Sequence, residues 1–269
     1  MDREPVVSGT FYRSDAQELA AQVDAFLASA GARSPALGVL VPHAGYVYSG
    51  VVAGAVYARV EVPARAVVLC PNHTGLGRAR AALWPSGTWR TPLGGVAVDR
   101  ALCEVLASAP GVTLDLDAHR REHALEVQLP FLQRARPGVA VAPLCLAHLT
   151  YPECVALGEF LASVRAGPAP DARALLVASS DMSHYLPVAA ARAADERALT
   201  PLLALDPEEL YRRVHDERIT MCGVIPATVM LVAARALGAR TAERVRYAHS
   251  GEVNGDDRRV VGYAGVVVR

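Results

Sequence analysis

The chain has 269 residues, 52% of them hydrophobic, with 27 basic residues balanced by 27 acidic ones. That apolar fraction sustains a large core and excludes a disordered or small disulfide-stapled chain. The neutral balance excludes nucleic-acid or membrane binding driven by bulk charge, and because every basic residue is Arg there is no Schiff-base or phosphate-loop lysine.

Taken in chain order, a helix is expected over Asp15–Ala30 with Ser14 at its N-cap. Strands follow at Leu37–Val41, Ala66–Cys70 and Arg80–Trp84, then a Gly- and Pro-rich hairpin or flap over Ser86–Asp99. Helices are expected at Arg100–Ser108 and Glu122–Arg134, a strand at Val139–Cys145, a helix at Pro152–Arg165 and a strand at Ala174–Ala178. Helices at Ala190–Ala204, Pro207–His215 and Pro226–Leu237 precede strands at Val245–Ala248 and Val260–Val268. Asp206 suits an N-cap, and Pro152, Pro207 and Pro226 suit first-turn positions. Apolar runs of strand length alternating with helical patterns mark an α/β fold whose sheet is covered on both faces. The one candidate linker, Ala166–Asp171, is too short to divide the chain, so a single domain over 1–269 is expected.

Cys70, Cys103, Cys145, Cys154 and Cys222 are scattered without a CxxC pair, which reads as reduced, mostly buried thiols in a cytosolic protein. Met1–Tyr12 carries early charges and no signal-peptide core. The uncharged stretch Ile219–Ala234 is interrupted by Gly223 and Pro226 and falls short of the roughly 20 apolar residues that span a bilayer. A cytoplasmic location with no membrane or nucleic-acid partner is therefore expected.

Open α/β sheets gather functional residues just past the carboxyl ends of their strands. Here the expected strand ends carry Pro42-His43-Ala44-Gly45-Tyr46, Pro71-Asn72-His73-Thr74-Gly75, the run Ser179 to Tyr185 containing Asp181 and His184, and His249-Ser250-Gly251-Glu252. One histidine after one strand is more often a structural residue. Four such exits on one sheet point to a shared pocket, and neutral imidazoles with carboxylates are donors for zinc or non-haem iron. His148 also follows a strand, but its flanks are bland.

Arg121-Glu122-His123-Ala124-Leu125-Glu126 opens an expected helix. His123 would then sit in its first turn, where the helix dipole keeps an imidazole neutral and Glu122 and Glu126 complement the positive end. A plain amphipathic helix fits the same pattern. His119 and His123 lack the glutamate of the HExxH zinc-protease motif, and no GxSxG elbow surrounds Ser179, Ser180 or Ser183. Trp84 and Trp89 read as core or flap packing. Tyr46 and Tyr185 either pack or line the pocket. Cys222 reads first as a buried thiol opening a helix.

The segments VSGTFYRSD, VPHAGYVYSG, PNHTG, EHALEVQLPF, SSDMSHY, MCGVIP and YAHSGEV followed by VVGYA together resemble the Memo-like proteins. The likeness runs from Val7 to Val267. It implies a three-layer αβα sandwich around a mostly parallel mixed sheet, like the class III extradiol dioxygenases, with a metal pocket. By match to the family motifs, His43 and His73 are metal ligands, Asp181 and His184 are pocket residues, His123 is an acid/base histidine, and Cys222, within MCGVIP, gains an approach to the pocket as its second reading. The chain departs from the animal members at Val253, where they carry a cysteine, so the neighbouring Glu252 is inferred as the third ligand.

Three functions follow as expectations. The first is a non-haem Fe(II) oxidoreductase of dioxygenase type acting on a small-molecule substrate, with Fe(II) on His43, His73 and Glu252 and protons moved by His123 or His184, beside Asp181. The second is a hydrolase on the same ligands, with zinc; copper is a further candidate metal. The third is a metal- or peptide-binding protein that works with a radical-SAM partner, since this chain lacks the CxxxCxxC cluster of such an enzyme.

Overall fold

The computed structural model describes residues 1–28, 32–165 and 173–269. A two-residue strand β1 (Asp2–Arg3) precedes α1 (Ala16–Leu27), whose N-cap Asp15 accepts the N–H groups of Gln17 and Glu18. The cap is thus Asp15, one residue beyond Ser14; a carboxylate there also favours the positive helix end. Strand β2 (Gly38–Val41), helix α2 (Tyr46–Tyr57), strands β3 (Arg65–Pro71) and β4 (Ala81–Leu83), and the hairpin β5 (Thr88–Thr91) and β6 (Gly94–Val98) follow. Next come α3 (Arg100–Leu106), β7 (Val112–Leu114), α4 (Asp117–Arg120), α5 (Leu129–Ala135), β8 (Ala140–Leu146), α6 (Tyr151–Arg165) and β9 (Ala174–Ser179). The chain continues through β10 (His184–Leu186), α7 (Val188–Leu203), α8 (Pro207–Asp216), α9 (Val224–Ala236), β11 (Ala242–His249), α10 (Gly251–Asn254) and β12 (Val260–Val268). The expected linker and the end of the first expected helix lie outside the described residues.

The strands form one large, mostly parallel sheet in the order β1-β5-β6-β8-β3-β9-β2-β12-β10, with β11 on β12 and β4 on β7 and β8. Its centre, β6-β8-β3-β9-β2, is parallel throughout, and β12 then runs antiparallel to β2. Strands β2 and β9 are buried along their whole length, as their unbroken apolar runs require in a sheet flanked by helices. The parallel direction sends the exits of β2, β3 and β9 to one edge of the sheet. That edge carries the site.

Two helical segments depart from expectation. Helix α2 gives no amphipathic signal because it is apolar nearly all round, and Gly50 and Gly54 depress its helix propensity. The glycines are there for close packing: a Cβ at Gly50 would lie 2.4 Å from Phe26 Cε2, and one at Gly54 2.4 Å from Phe26 Cβ. The helix expected from Glu122 begins only at Leu129, after a 3-10 turn at Glu126–Gln128. His123 therefore stands in no helical first turn, and the dipole does not set its charge.

Trp84 and Trp89 are buried core residues, packed edge-on against His119 with centroids 6.0 and 5.8 Å away. His119 Nε2 lies 3.0 Å from the Ala82 carbonyl, and burial pushes its pKa down to about 4. Between that value and the ordinary 6.5 the unfolded chain binds a proton that the folded one refuses. Stability is thus lost as pH falls from 6.5 to 4, by about 3 kcal/mol from this residue. Denaturant unfolding of His119→Gln across that range is expected to show a slope shallower than wild type by that amount. An unchanged slope refutes this.

Candidate metal centre

Three donor atoms meet at the sheet edge: His43 just past β2, His73 just past β3, and Cys222 just before α9, all within 4.8 Å of one another. Cys222 Sγ is 3.2 Å from His43 Nε2. Donors bound to one tetrahedral ion at zinc-like bond lengths stand about 3.3–3.8 Å apart, close to the separation of Cys222 Sγ and His43 Nε2, and His73 lies near enough to complete a group that could hold an ion. A second group, His73, Glu122 and His123, shares His73.

Glu122 explains how His73 is held. It is wholly buried; one carboxylate oxygen accepts the His73 backbone N–H at 2.6 Å, and the other lies 2.9 Å from His73 Nδ1. The second oxygen also takes the Ala124 N–H. Burial alone would raise this carboxyl, but the hydrogen bond and charge of His73 hold it below its ordinary value. Burial likewise pulls His73 down, and Glu122 outweighs it, leaving the imidazole above its usual range. The pair therefore demands positive charge beside a buried carboxylate, as an outer-sphere carboxylate on a metal-bound histidine does. With Nδ1 committed to Glu122, Nε2 of His73 is the free donor.

His43 is buried and held neutral by desolvation, reinforced by repulsion from His73, His123 and His184. A neutral ring offers a metal its lone pair without first losing a proton. Asp181 Oδ1 accepts the His43 N–H at 2.8 Å and so pins the β2–α2 loop to the β9 exit. Burial raises Asp181 to about 6 against those N–H bonds. The thiol of Cys222 is pushed up by burial and by the charge of Asp181.

His123 stacks on His73 with centroids 4.9 Å apart, lies 5.5 Å from the His43 ring and meets Phe11 edge-on at 4.9 Å. Burial lowers its pKa, opposed by Glu122. His184 is partly buried, with Nδ1 2.9 Å from the Thr220 carbonyl, an acceptor only, so its Nε2 carries the lone pair. Tyr185 beside it is 64% exposed in a left-handed conformation (φ 61°). Tyr46 is buried and donates to the Val127 carbonyl, so it packs and does not line the site.

Glu252 is not brought to His43 and His73. It sits on the single-turn helix α10, 44% exposed, 3.5 Å from His249 Nε2 and 3.6 Å from Arg192. The turn points it outward, and the third donor beside the two histidines is Cys222. His148 is exposed and outside the group. The sequence cue for Cys222 was its place in MCGVIP; in the structure a Cβ at the next residue, Gly223, would fall 2.4 Å from the Ser179 carbonyl oxygen and from Ser180 Cβ. Only glycine there lets the start of α9 approach the β9 exit, which carries the cysteine into the site.

A profile described as Memo-like protein matches residues 3–267. A MEMO1 family protein of Aquifex aeolicus is 42% identical over 267 residues, covering 98% of each chain. Another from Methanococcoides burtonii is 40% identical across 99% of this chain and all of its own. A third, from Methanothermobacter thermautotrophicus, is 36% identical over 98% of this chain and 99% of its own.

Proposed function

The chain belongs to the Memo-like family, and we propose that it is a metal-dependent oxidoreductase of dioxygenase type, with one ion on His43, His73 and Cys222. Iron is the first candidate and copper or zinc the alternatives, since imidazole and thiolate suit all three. The observation that carries this reading is the meeting of three donors from separate segments, two of them imidazoles with Nε2 turned to the same place. Three protein donors with a further position free is the arrangement of catalytic centres, whereas structural ones are closed by four. The bound ion would supply electron transfer and polarisation of a coordinated oxygen atom.

The chain's own residues supply proton handling and orientation. His123, kept neutral by burial, takes or gives a proton at the edge of the site, and His184 Nε2 offers a second acceptor. Asp181 holds the His43 loop in place. A thiol–imidazole nucleophile needs a thiolate and an imidazolium, and burial drives Cys222 and His43 the opposite way.

The deciding experiment is element-specific metal analysis of anaerobically purified protein, then loading with Fe(II), Cu or Zn and assay for dioxygen uptake with catechol-type substrates. One equivalent of metal and uptake with iron are expected. Failure to retain any metal, or turnover of esters with zinc alone, would overturn the reading.

A further inference from the structure

We infer that Ser179 and Gln128 are positioning residues that lock His43 in the tautomer protonated at Nδ1, so that its Nε2 lone pair always faces the metal place. The inference deepens the proposed metal centre, but the hydrogen-bond logic behind it stands without a metal.

The chain of bonds is fixed at both ends by backbone carbonyls, which can only accept. Gln128 meets the Pro42 carbonyl at 2.9 Å, so the atom facing it is the amide nitrogen. The other amide atom is then the oxygen, and it accepts the Tyr57 hydroxyl at 3.1 Å. The same nitrogen donates to Ser179 Oγ at 2.9 Å. Ser179 gives its one proton to the Ala124 carbonyl at 2.6 Å. Its oxygen has then donated once and accepted once, and a single lone pair remains. That lone pair faces His43 Nδ1 at 2.9 Å, so Nδ1 must carry the hydrogen. The opposite tautomer would set two lone pairs against each other in a site where Ser179, Gln128 and His43 are all buried. Nothing on the Nε2 side overrides this, because Cys222 Sγ at 3.2 Å can give a proton to that nitrogen or yield to a metal.

A ligating histidine whose far nitrogen is held this way binds its metal more tightly; loss of such an outer partner typically costs about 10–100-fold in affinity. Ser179 and Gln128 come from β9 and the turn before α5, so two distant segments converge to set one ring.

The test is a long-range proton–nitrogen correlation spectrum of metal-free protein labelled with nitrogen-15 histidine, with His43 assigned by His43→Gln. Nδ1 is expected at the protonated, pyrrole-type position and Nε2 at the pyridine-type position. Ser179→Ala is expected to populate the Nε2–H form and to weaken Zn binding about 10–100-fold, with Ser179→Thr restoring both. Gln128→Leu should move the same signals less. Wild-type protein with its His43 proton on Nε2 would overturn the inference whether or not any variant folds. So would a tautomer unmoved in both Ser179→Ala and Gln128→Leu. If the wild-type spectrum is as expected but zinc, iron and copper all fail to bind, the metal reading falls while the tautomer assignment stands.

Discussion

Cys222→Ala is expected to lower metal affinity by more than about 100-fold, beyond the range for loss of an outer-sphere partner, while Glu252→Ala leaves occupancy unchanged. The contrast follows from placement. Cys222 Sγ is 3.2 Å from a ring nitrogen of His43 and shares a volume with a second imidazole. Glu252 is 44% exposed and spends its carboxylate on His249 and Arg192. The thiol's raised pKa sharpens the prediction: no thiolate is present to bind until a cation displaces its proton, so loading should release protons. Cys222→Ala should lose that component. Cys222→Ser keeps the volume but offers a harder and poorer donor, and is expected to fall between alanine and wild type. Competition against a chelator of known affinity, with occupancy read by elemental analysis, measures all three. Full occupancy in Cys222→Ala, or its loss in Glu252→Ala, would return the third ligand to the carboxylate.

The way the sequence pointed to Glu252 shows where such reading runs out. The strands were legible because parallel strands buried on both faces must be continuous apolar runs, and those of β2, β3, β8 and β9 are. The exits carrying His43, His73 and Asp181 followed from strand direction alone. Cys222 did not, because it precedes a helix and reaches the site only through the close approach allowed by Gly223. Likewise the charged residues of the EHxxE segment looked like helix-end charges. In three dimensions they are wholly buried, Glu122 against His73 and Glu126 against the N-terminal segment. One-dimensional patterns report which face a residue turns to the core; they do not report which distant backbone will need its carboxylate.

That second carboxylate yields the largest stability effect expected in the molecule. Glu126 accepts the Arg3 guanidinium, the N–H groups of Val6 and Val7, and the Tyr12 hydroxyl. Arg3, only 3% exposed, also donates to the carbonyls of His119 and Glu122 and lies over the Trp89 ring, 4.3 Å from its centroid. Arg3→Ala would leave a buried carboxylate without its countercharge and take a donor from the carbonyls of Glu4, His119 and Glu122. Removing one partner of a buried pair costs roughly 3–5 kcal/mol, which in a domain of this size lowers Tm by on the order of 10 °C. The double variant Arg3→Ala/Glu126→Gln removes the stranded charge while keeping an acceptor oxygen for the Val6 and Val7 N–H groups and the Tyr12 hydroxyl, and is expected to be more stable than Arg3→Ala alone. The effect should reach the metal place too. Arg3 fixes the Glu122 carbonyl, and the carboxylate of that residue holds both the ring and the backbone of His73. Calorimetry of the metal-free proteins measures the first effect, and zinc titration of the folded variants measures the second. An Arg3→Ala protein within about 1 kcal/mol of wild type, the worth of an exposed ion pair, would mean that water reaches Glu126 and that the N-terminal segment is not clamped as its buried contacts require.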